Sequence, residues 1–338
     1  MKALVAGATG PVGHAVVARL LAEGHDVSIV TRRPFLAERL FGDRVTVHEW
    51  HPIGERLPDA AVEGCDAVLC LMGAPLAGGP QRDREAMAVA TRVNAIRRIG
   101  KATAGKDVRL VVTSLAIAPV GAGPQFGETG ARGAEQSAIG RLVTTWEAEA
   151  EALHEAGRNV AVVRLGAVAT ETSILSELAR LARIGMVPNL KGMLVPAITL
   201  EDAAAMLAGS LRQRSIVGPV HGVAPSPVKG EAIMAALQTL VPLPRPLVLP
   251  RRLLRRRLGL ALALLGCQRQ IVPDVLMRAG ANFAVTDPTH HLINAITSSA
   301  TPRTSRQPPP EPPSAPAVLL SDATPTTKGE PITLTRQP

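Results

Sequence analysis

Three glycines near the N-terminus have the spacing of a phosphate-binding turn. Gly7, Gly10 and Gly13 follow an apolar run at residues 3–6, and Pro11 opens a helical pattern. Gly7 can adopt a positive φ, Gly10 lets the backbone approach a phosphate, and Gly13 lets the helix pack close to the strand. Free N–H groups and the positive end of the helix dipole then face an anion. This pattern predicts a dinucleotide site, the alternative being a turn that binds nothing.

The end of the second predicted strand, Asp26–Thr31, distinguishes the two nicotinamide dinucleotides. An NAD site has a carboxylate about 20 residues after the glycine turn, whereas this sequence has Thr31, Arg32 and Arg33 there. A guanidinium can hold the 2′-phosphate of NADP through two hydrogen bonds. We therefore predict NADP(H) as the cofactor, with NAD(H) less favoured. The alternative is two solvated arginines at the start of a loop.

Short apolar runs alternate with helical patterns along the chain, which predicts an α/β fold with a parallel, doubly wound sheet. The predicted strands are 3–6, 26–31, 45–47, 65–71, 109–113, 159–165 and 219–223. The predicted helices are 11–23, 82–103, 140–156, 203–211 and 229–240, and the segments 273–280 and 288–296 close the folded part. Thr199 and Asp202 have capping-box spacing before one of these helices.

Ligands of such a sheet lie outside the carboxyl ends of its strands. Ser114 follows the fifth strand, and Gly73 follows the fourth, where it would let the adenosine and ribose side of a cofactor approach. The cofactor-binding residues predicted from these positions are Gly7, Ala8, Thr9, Gly10, Pro11, Val12, Gly13, Thr31, Arg32, Leu71, Met72 and Gly73.

The composition limits what the chain can bind. Of its 338 residues, 46% are hydrophobic and only 2% are aromatic, and the net charge is +9. Positive charge favours anionic ligands, but the scarcity of rings argues against a dedicated binder of RNA or single-stranded DNA.

Cysteine usage and hydropathy predict a cytoplasmic protein. Cys65, Cys70 and Cys267 lack C-x-x-C spacing, which indicates reduced thiols rather than a disulfide frame or a zinc site. The first apolar run breaks at Gly7, too early for a signal peptide, and no apolar run reaches the roughly 20 residues that span a bilayer. No histidines have metal-ligand spacing, so no metal site is predicted.

The composition changes near the C-terminus. Residues 251–265 are basic and then apolar, which indicates either a membrane-surface helix or an amphipathic start that runs into a buried helix end. From residue 298 onward, Pro, Ser and Thr replace the apolar residues, so we predict a disordered tail that either docks a protein partner or only aids solubility.

Eight stretches of the sequence together carry a family resemblance. In order, they are GATGPVG, VTRRP, CLMGAPLAG, WEAEAEALHEAG, VVRLGAV, LEDAA, GPVHGVAPSPV and CQRQIVPDVLMRAGANF. They resemble atypical extended short-chain dehydrogenases/reductases, specifically the epimerase-family oxidoreductases with a small C-terminal domain of unknown function. The resemblance covers residues 1–296 and is most specific at 218–228 and 268–283. It implies a Rossmann domain of the NADP type at 1–227 and a small, mostly helical C-terminal domain at 228–297, followed by the tail at 298–338.

The resemblance also implies two further site residues. Asn94 stands where extended members keep an asparagine in the helix after the fourth strand, and it joins the predicted cofactor site. Ser114 stands where the superfamily has its catalytic serine or threonine, so it is the predicted catalytic residue.

The acid/base pair of the superfamily is missing. Its members use Tyr-x-x-x-Lys to relay a proton during hydride transfer, and this sequence contains no tyrosine. Ile139 and Val143 stand in the corresponding positions, eight and four residues before Glu147. Neither side chain can carry a proton.

These observations favour an NADP(H)-binding oxidoreductase or epimerase of unknown small-molecule substrate, with a degenerate catalytic site. The alternatives are an NADP(H)-binding sensor or regulatory protein with weak or no turnover, and an interaction protein that works through its tail.

The first prediction concerns the tail. Deleting residues 299–338 should change the melting temperature by no more than about 1–2 °C, because an unpacked segment contributes little to folding. Thermal unfolding of the two forms measures this, and a large drop would mean that the tail packs on the folded part.

Overall fold

The structure is a computed structural model. It describes residues 1–75, 81–117, 125–128, 137–170, 174–242, 246–250, 252–254, 262, 265–266 and 268–298. Among these residues, no helix is long and apolar enough to cross a membrane. The predicted tail beyond Ser298 and most of the segment 251–265 lie outside the described residues.

The helices and strands follow one another along the chain in an alternating order. The strands are β1 Lys2–Ala6, β2 Asp26–Thr31, β3 Thr46–Glu49, β4 Ala67–Cys70, β5 Arg109–Leu115, β6 Gln125–Phe126, β7 Val160–Leu165, β8 Ala167–Val168, β9 Met186–Pro188, β10 Leu194–Val195, β11 Ala197–Ile198, β12 Gly218–Gly222, β13 Val228–Lys229, β14 Leu247–Leu249 and β15 Gln270–Ile271. The helices are α1 Pro11–Ala22, α2 Pro34–Phe41, α3 Gln81–Ala102, α4 Ala138–Glu155, α5 Ile174–Arg183, α6 Leu200–Arg212, α7 Gly230–Gln238, α8 Asp274–Arg278 and α9 Thr289–Ser298.

Seven strands form one parallel sheet in the order β12-β7-β5-β4-β1-β2-β3. The chain reverses its direction of travel across the sheet at β1, and the crevice at such a reversal is where doubly wound sheets bind ligands. The predicted α/β fold with a parallel, doubly wound sheet is therefore confirmed. Each of the seven predicted strands is present, although their ends shift by one or more residues.

Alternate residues of the central strands build two separate cores. On one face, Leu4, Val68 and Val112 pack with α3 and α4. On the other face, Val5 and Leu69 pack with α1 and α6. The central strands are apolar on both faces because helices cover both, and this explains their continuous apolar runs.

Four two-stranded pairs lie outside the main sheet, and the sequence did not predict them. They are β8 with β11, β9 with β14, β10 with β13, and β6 with β15. Each strand has only two or three residues, too short for a period-two pattern to be recognised. The β6–β15 pair joins segments that are more than a hundred residues apart in the chain.

The C-terminal region is helical, as predicted, but it also contains a helix from the middle of the chain. Helix α5 packs against both α7 and α9, and β9 of the same segment pairs with β14. Residues 174–188 thus belong spatially with residues beyond 228. The predicted domain boundary between 227 and 228 stays a prediction.

Asp202 ties the C-terminal segment to α6. The Thr199 hydroxyl accepts a hydrogen bond from the Asp202 amide at 3.1 Å, so the predicted cap is present. The carboxylate of Asp202 turns elsewhere and accepts the amides of Ala284 and Val285 at 2.9 and 3.0 Å. Asp202 is fully buried, and these two charge-assisted bonds offset the cost of desolvating its carboxylate.

A second buried node holds the edge strand β12. Glu128 accepts the backbone amide of His221 at 2.8 Å and the amide of Val275 at 3.2 Å. The imidazole Nδ1 of His221 lies 3.0 Å from the carbonyl oxygen of Val272. Burial is the largest cause that lowers the pKa of His221, to about 4, and the positive charge of Arg164 lowers it further.

The second prediction follows from this buried imidazole. The folded state holds His221 neutral with a pKa of about 4, below the ordinary value of 6.5. Its contribution to stability is therefore complete above pH 6.5 and is lost as the pH falls through about 4. We expect His221 to lower the free energy of unfolding by up to about 3 kcal/mol over that interval.

Denaturant unfolding between pH 7 and pH 4 measures this contribution. His221→Asn, which retains a side-chain N–H, should show a shallower pH dependence than the wild type. His291→Asn removes an exposed imidazole and should keep the wild-type slope. Identical slopes for His221→Asn and the wild type would contradict the assignment.

Candidate cofactor site

The glycine turn between β1 and α1 is set by close backbone contacts. Gly7 has φ +98°, and a Cβ on it would lie 3.0 Å from the carbonyl carbon of Leu71. A Cβ on Gly13 would lie 2.2 Å from the carbonyl oxygen of Gly7. The fold itself therefore requires glycine at both positions.

Gly10 differs from its two neighbours in the motif. Its backbone is extended, with φ −82° and ψ 164°, and a Cβ there would meet nothing closer than 3.6 Å. Packing within the described residues does not require glycine at this position, whereas a group lying against the turn would. The residues present thus fit a bound pyrophosphate.

The start of α1 suits an anion. Gly10 is its N-cap and supplies no side chain to the first-turn amides, and the first turn contains no acidic residue. The amides and the dipole of the helix end remain available to a phosphate. Of the other residues predicted here and after β4, Ala8 is buried, Pro11 is exposed, and Thr9, Val12, Leu71 and Met72 are half-buried.

The end of β2 presents two exposed arginines. Thr31 is buried, and its hydroxyl accepts the amide of Arg33 at 3.1 Å. Arg32 and Arg33 both point to solvent, directly before α2. The carboxylate in register with Thr31 is Glu49 on the neighbouring strand β3, which is also exposed.

The loop after β4 is held against α3. The Ala74 amide donates to the Thr91 hydroxyl at 3.0 Å, and the Ala74 carbonyl accepts from Nη1 of Arg92 at 3.1 Å. A Cβ on Gly73 would lie 2.3 Å from Cζ of Arg92. The missing side chain of Gly73 therefore makes room for this guanidinium.

Asn94 lies one half-turn further along α3. It is half-buried, and its side-chain amide donates to the Ala90 carbonyl of the same helix at 2.8 Å. Its predicted contact with a cofactor stays a prediction.

Ser114 lies near the end of β5, under a tryptophan. Its hydroxyl accepts a hydrogen bond from Nε1 of Trp146 at 3.0 Å, and only 4% of Ser114 is exposed. Ser114 is in register with Arg164 on β7, which is in register with His221 on β12. The three polar side chains form a row near the carboxyl edge of the sheet, on the face covered by α4.

Helix α4 presents apolar and ion-paired groups to this row. Ile139 and Val143 are buried in the same core as Trp146. Glu147 accepts two hydrogen bonds from Arg164, at 3.0 and 2.7 Å, in a bidentate pair that is mostly buried. Both charges are thus consumed by each other, and neither side chain is free to move a proton.

Sequence reasoning did not single out Arg92 or Trp146, although one signal was present. Arg92 lies four residues after Ala88 and four residues before Ile96, and both of these are buried. An arginine within the apolar stripe of a helix pattern indicates a cation held inside the protein. Trp146 had been noted only as part of the predicted helix.

Three comparisons place this geometry among known proteins. Residues 7–212 match the family model described as NAD(P)H-binding, which is more than half of the chain. The chain belongs to the NAD(P)H-binding family. An epimerase family protein of Mycobacterium leprae is 28% identical over 89% of this chain and 96% of its own length. The epimerase family protein SDR39U1 of Bos taurus is 27% identical over 84% of this chain and 96% of its own length.

Solved structures share the fold of this NAD(P)H-binding protein. Human epimerase family protein SDR39U1 with NADPH has a TM-score of 0.67 and 22% identity, and the match covers 88% of this chain and 99% of that one. The UDP-glucuronic acid 4-epimerase of Bacillus cereus with NAD has a TM-score of 0.68 and 13% identity, covering 89% and 100%. The predicted resemblance to atypical, epimerase-family short-chain dehydrogenases/reductases is thereby confirmed.

Metal chemistry has no visible centre in the part of the chain that the structure describes. No three His, Cys, Asp or Glu side chains there are grouped so that they could hold an ion. Cys70, buried beneath the loop after β4, has its pKa raised to about 11 chiefly by burial and is a neutral thiol.

The third prediction concerns cofactor choice. Arg32→Ala should weaken NADP(H) binding about tenfold or more while leaving NAD(H) binding nearly unchanged, because a charge-assisted contact to the 2′-phosphate contributes about 1.5–3 kcal/mol. Calorimetric titration of both cofactors measures the difference.

Arg39→Ala is the matched control for this prediction. It removes an exposed arginine from the other end of α2 and should keep the wild-type preference. Equal wild-type affinity for the two cofactors would contradict the prediction.

Proposed function

We propose that this chain is an NADP(H)-binding protein of the epimerase family that turns over ordinary carbonyl substrates slowly or not at all. The observation that carries the proposal is the buried hydrogen bond from Trp146 to the Ser114 hydroxyl. It holds the predicted catalytic group against the core rather than against a proton-donating partner.

The cofactor half of the proposal is supported by the turn and the arginines. The Gly7–Gly13 turn and the uncapped start of α1 would hold the pyrophosphate, and Arg32 would hold the 2′-phosphate. Bound NADPH would supply a hydride to a carbonyl carbon. The protein would have to supply the accompanying proton to the carbonyl oxygen.

The catalytic half is supported by what surrounds Ser114. A serine hydroxyl is a weak base near pH 7 unless a neighbouring base takes its proton. Its neighbour here is an indole N–H, which can donate but not accept. The helix positions that should carry the phenol and the ammonium hold Ile139 and Val143, which are both buried and apolar.

A second candidate is an NADP(H)-dependent oxidoreductase or epimerase of an unknown small molecule. One observation favours it: Ser114 accepts the indole hydrogen bond and so retains its own proton for donation. A carbonyl oxygen of a substrate could accept that proton as a hydrogen bond, and the net proton would come from water.

The fourth prediction separates the two candidates. Purified protein with NADPH and a panel of aldehydes and ketones should turn over below the ordinary range of about 1–10³ s⁻¹. A missing acid/base group costs about 10²–10⁴-fold in rate. Loss of NADPH absorbance measures the rate, and a related reductase that has the tyrosine serves as the control.

The pH dependence of any residual rate makes this test sharper. The tyrosine-containing control should change rate as its phenol–lysine pair titrates, whereas residual activity here should not follow that pair. Turnover at ordinary enzymatic rates would contradict the proposal and favour the second candidate. Failure to bind NADPH would contradict both.

A further inference from the structure

Arg92 is a cation that the cofactor turn and the Ser114 row leave unexplained. It lies on α3 directly behind the loop that follows β4, at the carboxyl edge of the sheet. Among the described residues, no carboxylate lies within ion-pair distance of it. Its titratable neighbour Cys70 is a neutral thiol and supplies no counter-charge.

The hydrogen bonds of Arg92 use only one side of its guanidinium. Nη1 donates to the carbonyls of Ala74 and Ala88, at 3.1 and 3.0 Å. Its Nε and Nη2 make no hydrogen bond to any described residue. Nε and Nη2 together form the edge that grips a carboxylate or a phosphate with two parallel bonds.

The faces of the guanidinium are covered, and this orients the free edge. A Cβ built on Gly73 would lie 2.3, 2.5 and 2.7 Å from Cζ, Nη2 and Nε. These nearly equal distances place Gly73 over the plane of the group rather than at its edge. Cζ also lies 4.8 Å from the ring centroid of Trp146. The group is thus held flat between packed atoms, so little further ordering is needed when an anion binds.

Burial makes this cation costly to keep without a partner. Desolvation lowers the pKa of Arg92 to about 10, so the group still carries its charge at neutral pH. A desolvated cation binds an anion more strongly than an exposed one does. Two carbonyls and an aromatic face offset part of the desolvation cost, and an anionic ligand would offset more.

We propose that Arg92 binds the anionic group, a carboxylate or a phosphate, of the small molecule that lies beside the cofactor at the carboxyl edge of the sheet. The inference rests on the proposed cofactor site and adds the chemical class of its unknown ligand. Because Trp146 contacts both Arg92 and Ser114, the anion would anchor the ligand next to the Ser114 hydroxyl.

Trp146 supplies the signal for the test, which is the fifth prediction. The sequence has two tryptophans, so Trp50→Phe leaves Trp146 as the single emitter. Inorganic phosphate and succinate are titrated into the full chain, without NADPH and at saturating NADPH, with sodium chloride matching the ionic strength. We expect a saturable change in Trp146 emission with both anions, because binding shifts the cation on the ring.

The variants separate anion binding from a structural role. Arg92→Met should abolish the saturable change, and Arg92→Lys should weaken binding about tenfold, since an ammonium cannot form the two parallel bonds. Arg98→Met is the matched control, because Arg98 is half-buried on the same helix and donates to the Pro52 carbonyl at 3.1 Å. It should bind both anions as the wild type does. If Arg92→Met does not fold, Arg92→Lys decides the outcome.

Three results would overturn the proposal. They are a wild-type response that chloride reproduces, equal binding by Arg92→Lys and the wild type, and loss of anion binding at saturating NADPH. The last would mean that Arg92 holds a phosphate of the cofactor itself. If the protein fails to bind NADPH, the titration without cofactor still tests Arg92, so failure of the proposed function is recognised separately.

Discussion

The closest backbone approach in the nucleotide-binding half is the one between Gly13 and Gly7. A single methyl group on Gly13 would sit 2.2 Å from the Gly7 carbonyl oxygen, which is far inside van der Waals contact. This approach seats the first turn of α1 on the end of β1. It thereby places the helix dipole over the crevice where the sheet order reverses. Every residue assigned to the pyrophosphate depends on that placement.

Much of the architecture could be predicted because its causes are local. Apolar runs such as 65–71 are buried on both faces, and the glycine turn has a fixed spacing, so the parallel sheet and the nucleotide edge follow from the sequence. The two-residue strands β6 and β15 could not be predicted, since their pairing depends on contacts between distant parts of the chain. The association of α5 with α7 and α9 has the same origin.

The chemistry at the carboxyl edge was harder to read for a physical reason. Sequence position places Ser114 at the end of a strand, but a hydroxyl can point into a cleft or accept a bond from a neighbouring helix. Only the packing of Trp146 decides between these. Similarly, Glu147 and Arg164 look like free charges in the sequence, and the fold brings them together as a mostly buried pair. The identity of a residue thus predicts its chemical capacity, while its partner determines whether that capacity is available.

The two hydrogen bonds of Asp202 also set an order of events during synthesis. Their partners, Ala284 and Val285, lie 82 and 83 positions later in the chain. At translation rates of about 5–20 residues per second, the carboxylate waits about 4–16 s before the first partner is made. Until then it must remain hydrated, because burying it without partners is costly. The first turn of α6 therefore stays open on the ribosome, and closure of this side of the sheet becomes a late folding step.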